Sequence, residues 1–390
     1  MPKKSLVIDV HHHWMPDEHY RRPELHIHTD EEVIHESDRF RIRRAGVQLF
    51  SPPRMTARME EQLKAMDRVG VDQAALHVGV WLDWVDIKAA RLINDRLAEL
   101  NLKYPSRIIP LAHVPPLDPD AGKELKRAIV GLGFKGVAMN TRIDGILLDS
   151  EQLYPYYKAV SDLDVPILVH PASELPLAHP HGMEQFNLTR NLGRAMDTTI
   201  NITRLMLSGT LDRFPKLRFV FSHMGGAFFA LKNRMNPSFW DKRSKGFFDK
   251  YKKRIFVDTA PPFWSAEEIR FAINTMGENQ VLLGSDFPTI EQLKNAVNLI
   301  KETKATAQVK KKSLAITPVN FFAKPEGFFP IVSRREIMNR SEPSKTDEEK
   351  QENWWEFCPV CGSKLLNHKC RFVCSNPRCH FFMSCSEFDM

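Results

Sequence analysis

The first 357 residues of this 390-residue chain contain no cysteine. A disulfide framework would staple the main fold, so the gap points to a reducing compartment, and a cytoplasmic protein is expected. All six cysteines lie between Cys358 and Cys385, which suggests a local metal site. No apolar run approaches the roughly 18 residues that a membrane span needs. The opening MPKKSL has no leader-like hydrophobic segment and no small-residue cleavage site, so no signal peptide is expected. No basic helix and no basic run interleaved with aromatics stands out, which argues against nucleic acid as a partner. The formal charge of +7 is too mild to specify more than a general preference for anions. No glycine-rich phosphate turn follows the first apolar run, which counts against a doubly wound nucleotide-binding sheet.

What is present is alternation. Eight short apolar runs recur from residue 6 to about residue 286: LVIDV, DQAALHV, RIIPLAHV, GFKGVAMN, VPILVHP, LRFVFSHM, RIFVDTA and QVLLGSD. Each is near-continuously apolar, as strands buried on both faces are. Amphipathic stretches lie between them. ARMEEQLKAMDRVG puts Met59, Leu63 and Met66 on one face and ends at Gly70. DPDAGKELKRAIVGLG opens with an Asp cap and Pro119 in its first turn, and SAEEIRFAINTMGEN also opens with a cap candidate. Eight strand–helix units predict a (β/α)8 TIM barrel over residues 1–329. Residues 17–56 interrupt the pattern as a long, charged, irregular segment after strand 1, where a lid or substrate loop is expected. Residues 330–352 read as a polar linker, and residues 353–390 as a separate cysteine module.

The chemistry gathers at strand ends. Asp9, His11 and His13 alternate along strand 1, and period 2 puts the two histidines on one side. His12 points the other way, into the packing. A lone histidine at a strand end is usually structural. Here, however, His170 ends strand 5, His223 ends strand 6 and Asp286 follows strand 8. In a barrel these ends converge on one face, where active sites sit. Three imidazoles and a carboxylate suit a divalent ion with room for water, and one further histidine completes an acid/base set.

DVHHH, LVHP, FSHMGGAF and LLGSDFP, in this order, resemble the amidohydrolase superfamily. More narrowly they resemble its non-oxidative decarboxylases, the branch of aminocarboxymuconate semialdehyde decarboxylase and the hydroxybenzoate decarboxylases. The likeness extends through LGFKGVAMNTRIDGILLDSEQLYPYYKAVSDLDVPILVHP and SLAITPVNFFAK, over about residues 5–325. It implies one divalent metal, zinc or manganese, on His11, His13, His170 and Asp286. It implies that His223, with Asp286, is the catalytic acid/base beside a metal-bound water. It also implies a dimer. A lysine that bridges two metals in other branches has no counterpart, because Asn140 ends strand 4 and Lys135 lies too early.

The expected substrate is a small carboxylic acid that loses CO2. A metal-dependent hydrolase of an amide, imide or lactone uses the same parts, and a non-catalytic scaffold is the reading from a different class. Arg54, Arg142, His113 and His179, with His181, are candidates for substrate contact near the barrel mouth. Trp81, Trp84, Trp264 and Phe287 are candidates for an apolar wall. In the cysteine module, Cys358 and Cys361 lie on a CPxCG knuckle, followed by Cys374 and Cys379. Two such pairs match a structural zinc ribbon, in which Cys370, His380 or Cys385 could replace a ligand. So short a module depends on metal for its folding energy.

Overall fold

The computed structural model describes residues 6–25, 30–44, 46–173, 183, 186–236, 246–260, 264–305, 364–367, 371–375 and 382–384. The eight apolar runs form eight strands: β1 (Ile8–His13), β2 (Gln73–His77), β3 (Ile108–His113), β4 (Gly136–Asn140), β5 (Ile167–His170), β6 (Phe219–Phe221), β7 (Ile255–Asp258) and β8 (Val281–Leu282). They pair in that order into one parallel sheet. Closure is made just beyond β8. Val10 N–H donates to Leu283 O at 2.8 Å, His13 N–H to Phe287 O at 2.7 Å, and Asp286 N–H to His11 O at 2.9 Å. The segment that closes the barrel therefore also carries Asp286 beside the β1 histidines.

The strands are buried on both faces, which is why their sequences show little polar alternation. Ile8, Val10, Ile109, Leu111, Leu168 and Val220 fill the barrel interior with four further residues. Their neighbours Ile108, Ala112, Ile167, Val169, Phe219 and Phe221 belong to the larger cluster under the helices. Full burial of each Ile, Leu or Phe contributes about 1.5–3 kcal/mol, so both layers stabilise the barrel. Polar residues occur at the carboxyl ends of the strands instead.

Helices follow the strands: α1 (Met59–Val69), α2 (Ile87–Lys103), α3 (Ala121–Lys126), α4 (Tyr154–Leu163), α5 (Arg194–Leu207), α6 (Phe228–Met235), α7 (Ala266–Met276) and α8 (Leu293–Ala305). Met59, Leu63 and Met66 of α1 are buried, and Gly70 ends the helix with φ 80°. Ser265 and Glu268 make a reciprocal capping box at the start of α7. The α3 helix starts later than the sequence suggests. Asp118 Oδ1 accepts from Asp120 N–H at 2.8 Å, and this local turn delays the helix to Ala121.

The insertion after β1 is not irregular. It folds into a three-stranded antiparallel sheet of Glu31–His35, Phe40–Arg44 and Val47–Phe50. The alternation Phe40-Arg41-Ile42-Arg43 is the physical reason, since Phe40 and Ile42 turn into the core while the arginines face out. A high density of charge conceals that period in the sequence.

The chain divides into two compact units, Met1–Ile331 and Val332–Met390. The second contains a small antiparallel sheet of Leu365–Asn367, Arg371–Cys374 and Phe382–Ser384. Cys358, Cys361, Cys370, Cys379, His380 and Cys385 lie outside the described residues, as does the 330–352 linker, and Cys374 is placed only as the end of a strand.

Candidate metal centre

A bulge shapes the end of β1. Between Asp9 and His12 the pairing with β2 shifts by one residue. Residues three apart on a regular strand face opposite sides, yet here Asp9 and His12 meet. His12 Nδ1 lies 3.0 Å from Asp9 Oδ2, and its Nε2 lies 3.1 Å from Gln62 Oε1 on α1. His12 is thus tied into the packing. His11 and His13 turn inward.

The donor atoms of His11, His13, His170 and Asp286 come within 4.8 Å of one another, and all four residues are buried. His11 Nε2 is 3.2 Å from His13 Nε2. Asp286 Oδ1 is 2.6 Å from His13 Nε2 and 3.6 Å from His11 Nε2. Ligand atoms of a tetrahedral zinc at about 2.0–2.1 Å stand roughly 3.3 Å apart. The observed spacings straddle that value, so the donor set fits a small divalent ion. Burial, with the charges of His13, His11 and His223 nearby, pushes the His170 pKa well down, which favours the neutral imidazole that a metal requires. Burial alone would raise the Asp286 pKa, but its hydrogen bond to His13 and the neighbouring imidazoles hold it at about 2.

The far nitrogens of two ligands are anchored. His11 Nδ1 lies 3.0 Å from Asp258 Oδ2, and His170 Nδ1 lies 2.8 Å from Pro171 O. Each contact fixes the ring and leaves Nε2 directed at the centre. Asp258, at the end of β7, does more. Its Oδ1 accepts from His223 N–H at 3.0 Å and Ala260 N–H at 2.9 Å. It therefore joins the ends of β1, β6 and β7.

His223 has φ 52° and Asp286 has φ 56°, left-handed values that are uncommon outside glycine. Both stand on tight turns. After His223 the chain passes through Gly226, where a Cβ would fall 2.0 Å from Ala195 O on α5. Only glycine allows that approach. Gly79 has a similar role beside His13. A Cβ there would fall 2.5 Å from His13 Cε1, and φ is 62°.

A cavity of about 650 Å³ opens over the donors, bordered by His13, His170, His223 and Asp286. Phe50 and Trp264 give it apolar wall, and Arg190 and Arg194 give it positive charge. Trp81 and Trp84 instead pack with Phe50, and Phe287 packs on the His12 ring.

Of the expected substrate contacts, Arg54, Arg142 and His113 do not border this cavity. Arg54 is exposed on the turn Arg54–Ala57 and does not border the cavity. Arg142 is buried and lies 3.1 Å from Asp197 Oδ2 in an ion pair. His113 is buried, and its Nε2 accepts from Val78 N–H at 3.1 Å; burial lowers its pKa to about 3, so it is a neutral structural group. His179 and His181 lie outside the described residues.

Three features were missed in the sequence. Asp258 ends RIFVDTA just as His170 ends VPILVHP, so its position was legible. His77 ends DQAALHV in the same way; its ring centroid lies 4.6 Å from that of His13 and 4.9 Å from that of His11. Gly79 N–H donates to His77 Nδ1 at 3.1 Å, which leaves the proton on Nε2. Arg190 and Arg194 precede and open α5, far from any strand-end motif.

A model of the amidohydrolase family matches residues 8–322. A gamma-resorcylate decarboxylase of Polaromonas sp. is 28% identical over 240 residues, which cover 58% of this chain and 73% of the relative. A 2-amino-3-carboxymuconate-6-semialdehyde decarboxylase of Dictyostelium discoideum is 26% identical over 229 residues, or 54% of this chain and 59% of the relative. Among solved structures, 5-carboxyvanillate decarboxylase of Novosphingobium aromaticivorans, complexed with manganese and 4-hydroxy-3-methoxy-5-nitrobenzoic acid, superimposes with a TM-score of 0.64 at 22% identity. That match covers 82% of this chain and 97% of the other.

Proposed function

The chain belongs to the amidohydrolase family, and we propose that it is a divalent-metal-dependent, non-oxidative decarboxylase of an aromatic or conjugated carboxylic acid. One observation carries this reading: His11, His13, His170 and Asp286 converge within 4.8 Å of one another, and three of them, His13, His170 and Asp286, border a cavity large enough for a substituted ring. The decarboxylase activities of the Polaromonas and Dictyostelium relatives support it.

A divalent ion held there would supply the positive charge that favours loss of CO2 from a bound carboxylate. His11, His13, His170 and Asp286 hold it. Phe50 and Trp264 flank the ring and keep water from its faces. His223 and Asp286 border the cavity as the acid/base pair. One of them delivers a proton to the ring carbon that bears the carboxylate. The carbon–carbon bond then breaks, its electron pair restores the ring, CO2 leaves, and solvent returns the proton to the donor. Asp258 positions this machinery through His11 and the backbone of His223.

The same reading includes a structural zinc on Cys358, Cys361, Cys374 and Cys379, supported by the CPxCG spacing. It also includes a dimer, from the family resemblance, and a cytoplasmic location, from the cysteine distribution.

The test is CO2 release from a panel of hydroxybenzoic acids, using full-length chain loaded with manganese or zinc. Turnover of at least one acid, absent in Asp286→Ala, is expected. A fully loaded chain that releases no CO2 but hydrolyses a lactone or amide would overturn the reading.

A further inference from the structure

Arg190 and Arg194 stand four residues apart across the junction of the turn Thr189–Gly193 and α5. Both border the cavity that holds His170, His223 and Asp286. Several other half-buried or buried arginines in the barrel have carboxylate partners: Arg142 pairs with Asp197, Arg127 with Glu124, and Arg218 with Asp164, whereas Arg254 donates to the carbonyl oxygens of Leu211 and Phe214. Among the described residues neither Arg190 nor Arg194 has one, and Arg194 donates from a terminal amino group to Leu49 O at 2.8 Å. Two guanidinium groups spaced in this way repel each other across a low-dielectric wall. Burial and the charge of Arg190 pull the Arg194 pKa down to about 10. An anion between them would relieve both penalties.

The charge of the cavity points the same way. Two guanidinium groups and a divalent ion face the single carboxylate of Asp286 among the charged lining residues described. One departing carboxylate on the ion leaves two guanidinium groups at the other end of the cavity, where the charges of Asp83, Asp286 and Asp197 act on Arg194 without a direct ion pair. A planar guanidinium fork suits a planar carboxylate.

We propose that Arg190 and Arg194 form a second anion subsite that holds a substrate carboxylate other than the one that leaves, so that the preferred substrate is a dicarboxylic acid. The inference rests on the decarboxylase reading above. It places the metal-chelating end of the ring at the histidines and the retained carboxylate at the start of α5.

The test uses three nitro compounds in which the nitro group stands for the departing carboxylate: 2-nitrophenol, 3-hydroxy-4-nitrobenzoate and 4-hydroxy-3-nitrobenzoate. Their affinities for manganese-loaded, full-length protein are measured by calorimetry. At least one nitrobenzoate should bind about tenfold tighter than 2-nitrophenol. Arg190→Gln and Arg194→Gln should each erase most of that advantage while leaving the affinities for 2-nitrophenol and for manganese unchanged. Arg194→Gln also removes the bond to Leu49, so Arg190→Gln carries the result if the first variant folds poorly. Equal binding of all three compounds, or an advantage that survives Arg190→Gln, would overturn the subsite. Failure of all three compounds to bind the loaded chain would overturn the decarboxylase reading and the subsite with it.

Discussion

The carboxylate of Asp258 lies 3.0 Å from His11 Nδ1 and, through its other oxygen, 3.0 Å from the backbone nitrogen of His223. One side chain at the end of β7 thus orients a candidate metal donor and holds the turn that carries His223, the proposed acid/base group. Asp258→Asn keeps the acceptor for His223 N–H but removes the charge beside His11. Metal affinity should fall about 10- to 100-fold, read by titration of chelator-treated protein. Unchanged affinity would mean that His11 needs no such anchor.

Gly79 is required by His13. Alanine there would press its Cβ to 2.5 Å from His13 Cε1 and must also adopt a φ of 62°. The left-handed backbone alone costs about 1–2 kcal/mol. Gly79→Ala should lower both the unfolding midpoint and the metal content. A variant with full metal content and an unchanged midpoint would show that the His13 ring has room to move.

Arg142 tests structure against substrate binding. Its partner Asp197 is buried with it, so Arg142→Ala leaves an unpaired charge in the core. The expected cost is about 3–5 kcal/mol by denaturant unfolding. A cost below about 1 kcal/mol, typical of an exposed pair, together with a raised KM, would return Arg142 to the substrate site.

His223→Asn should keep the metal and lose turnover by about 100- to 10,000-fold, the range for removal of a general acid/base. Metal content and CO2 release, measured on the same sample, check it. Loss of metal in step with turnover would make His223 a ligand instead.

The barrel was legible because strands buried on two faces must be apolar throughout, and runs such as VPILVHP and QVLLGSD say so directly. His11, His13, His170 and Asp286 were legible because each ends such a run. What stayed hidden depends on three-dimensional approach. The bulge that turns His12 toward Asp9 and Gln62 has no local sequence mark. Arg190 and Arg194 reach the cavity from the start of a helix, where an arginine pair reads as solvated surface. The hairpins after β1 stayed hidden too, because the charge around Phe40-Arg41-Ile42-Arg43 conceals its alternation.

The most direct test of the central claim is manganese stoichiometry in chelator-treated, full-length protein. Manganese favours oxygen and imidazole donors over thiolates, so it reports the barrel and not the cysteine module. The account predicts one manganese per wild-type chain and none in a folded His170→Ala or Asp286→Ala variant. Equal manganese binding in those variants would contradict it.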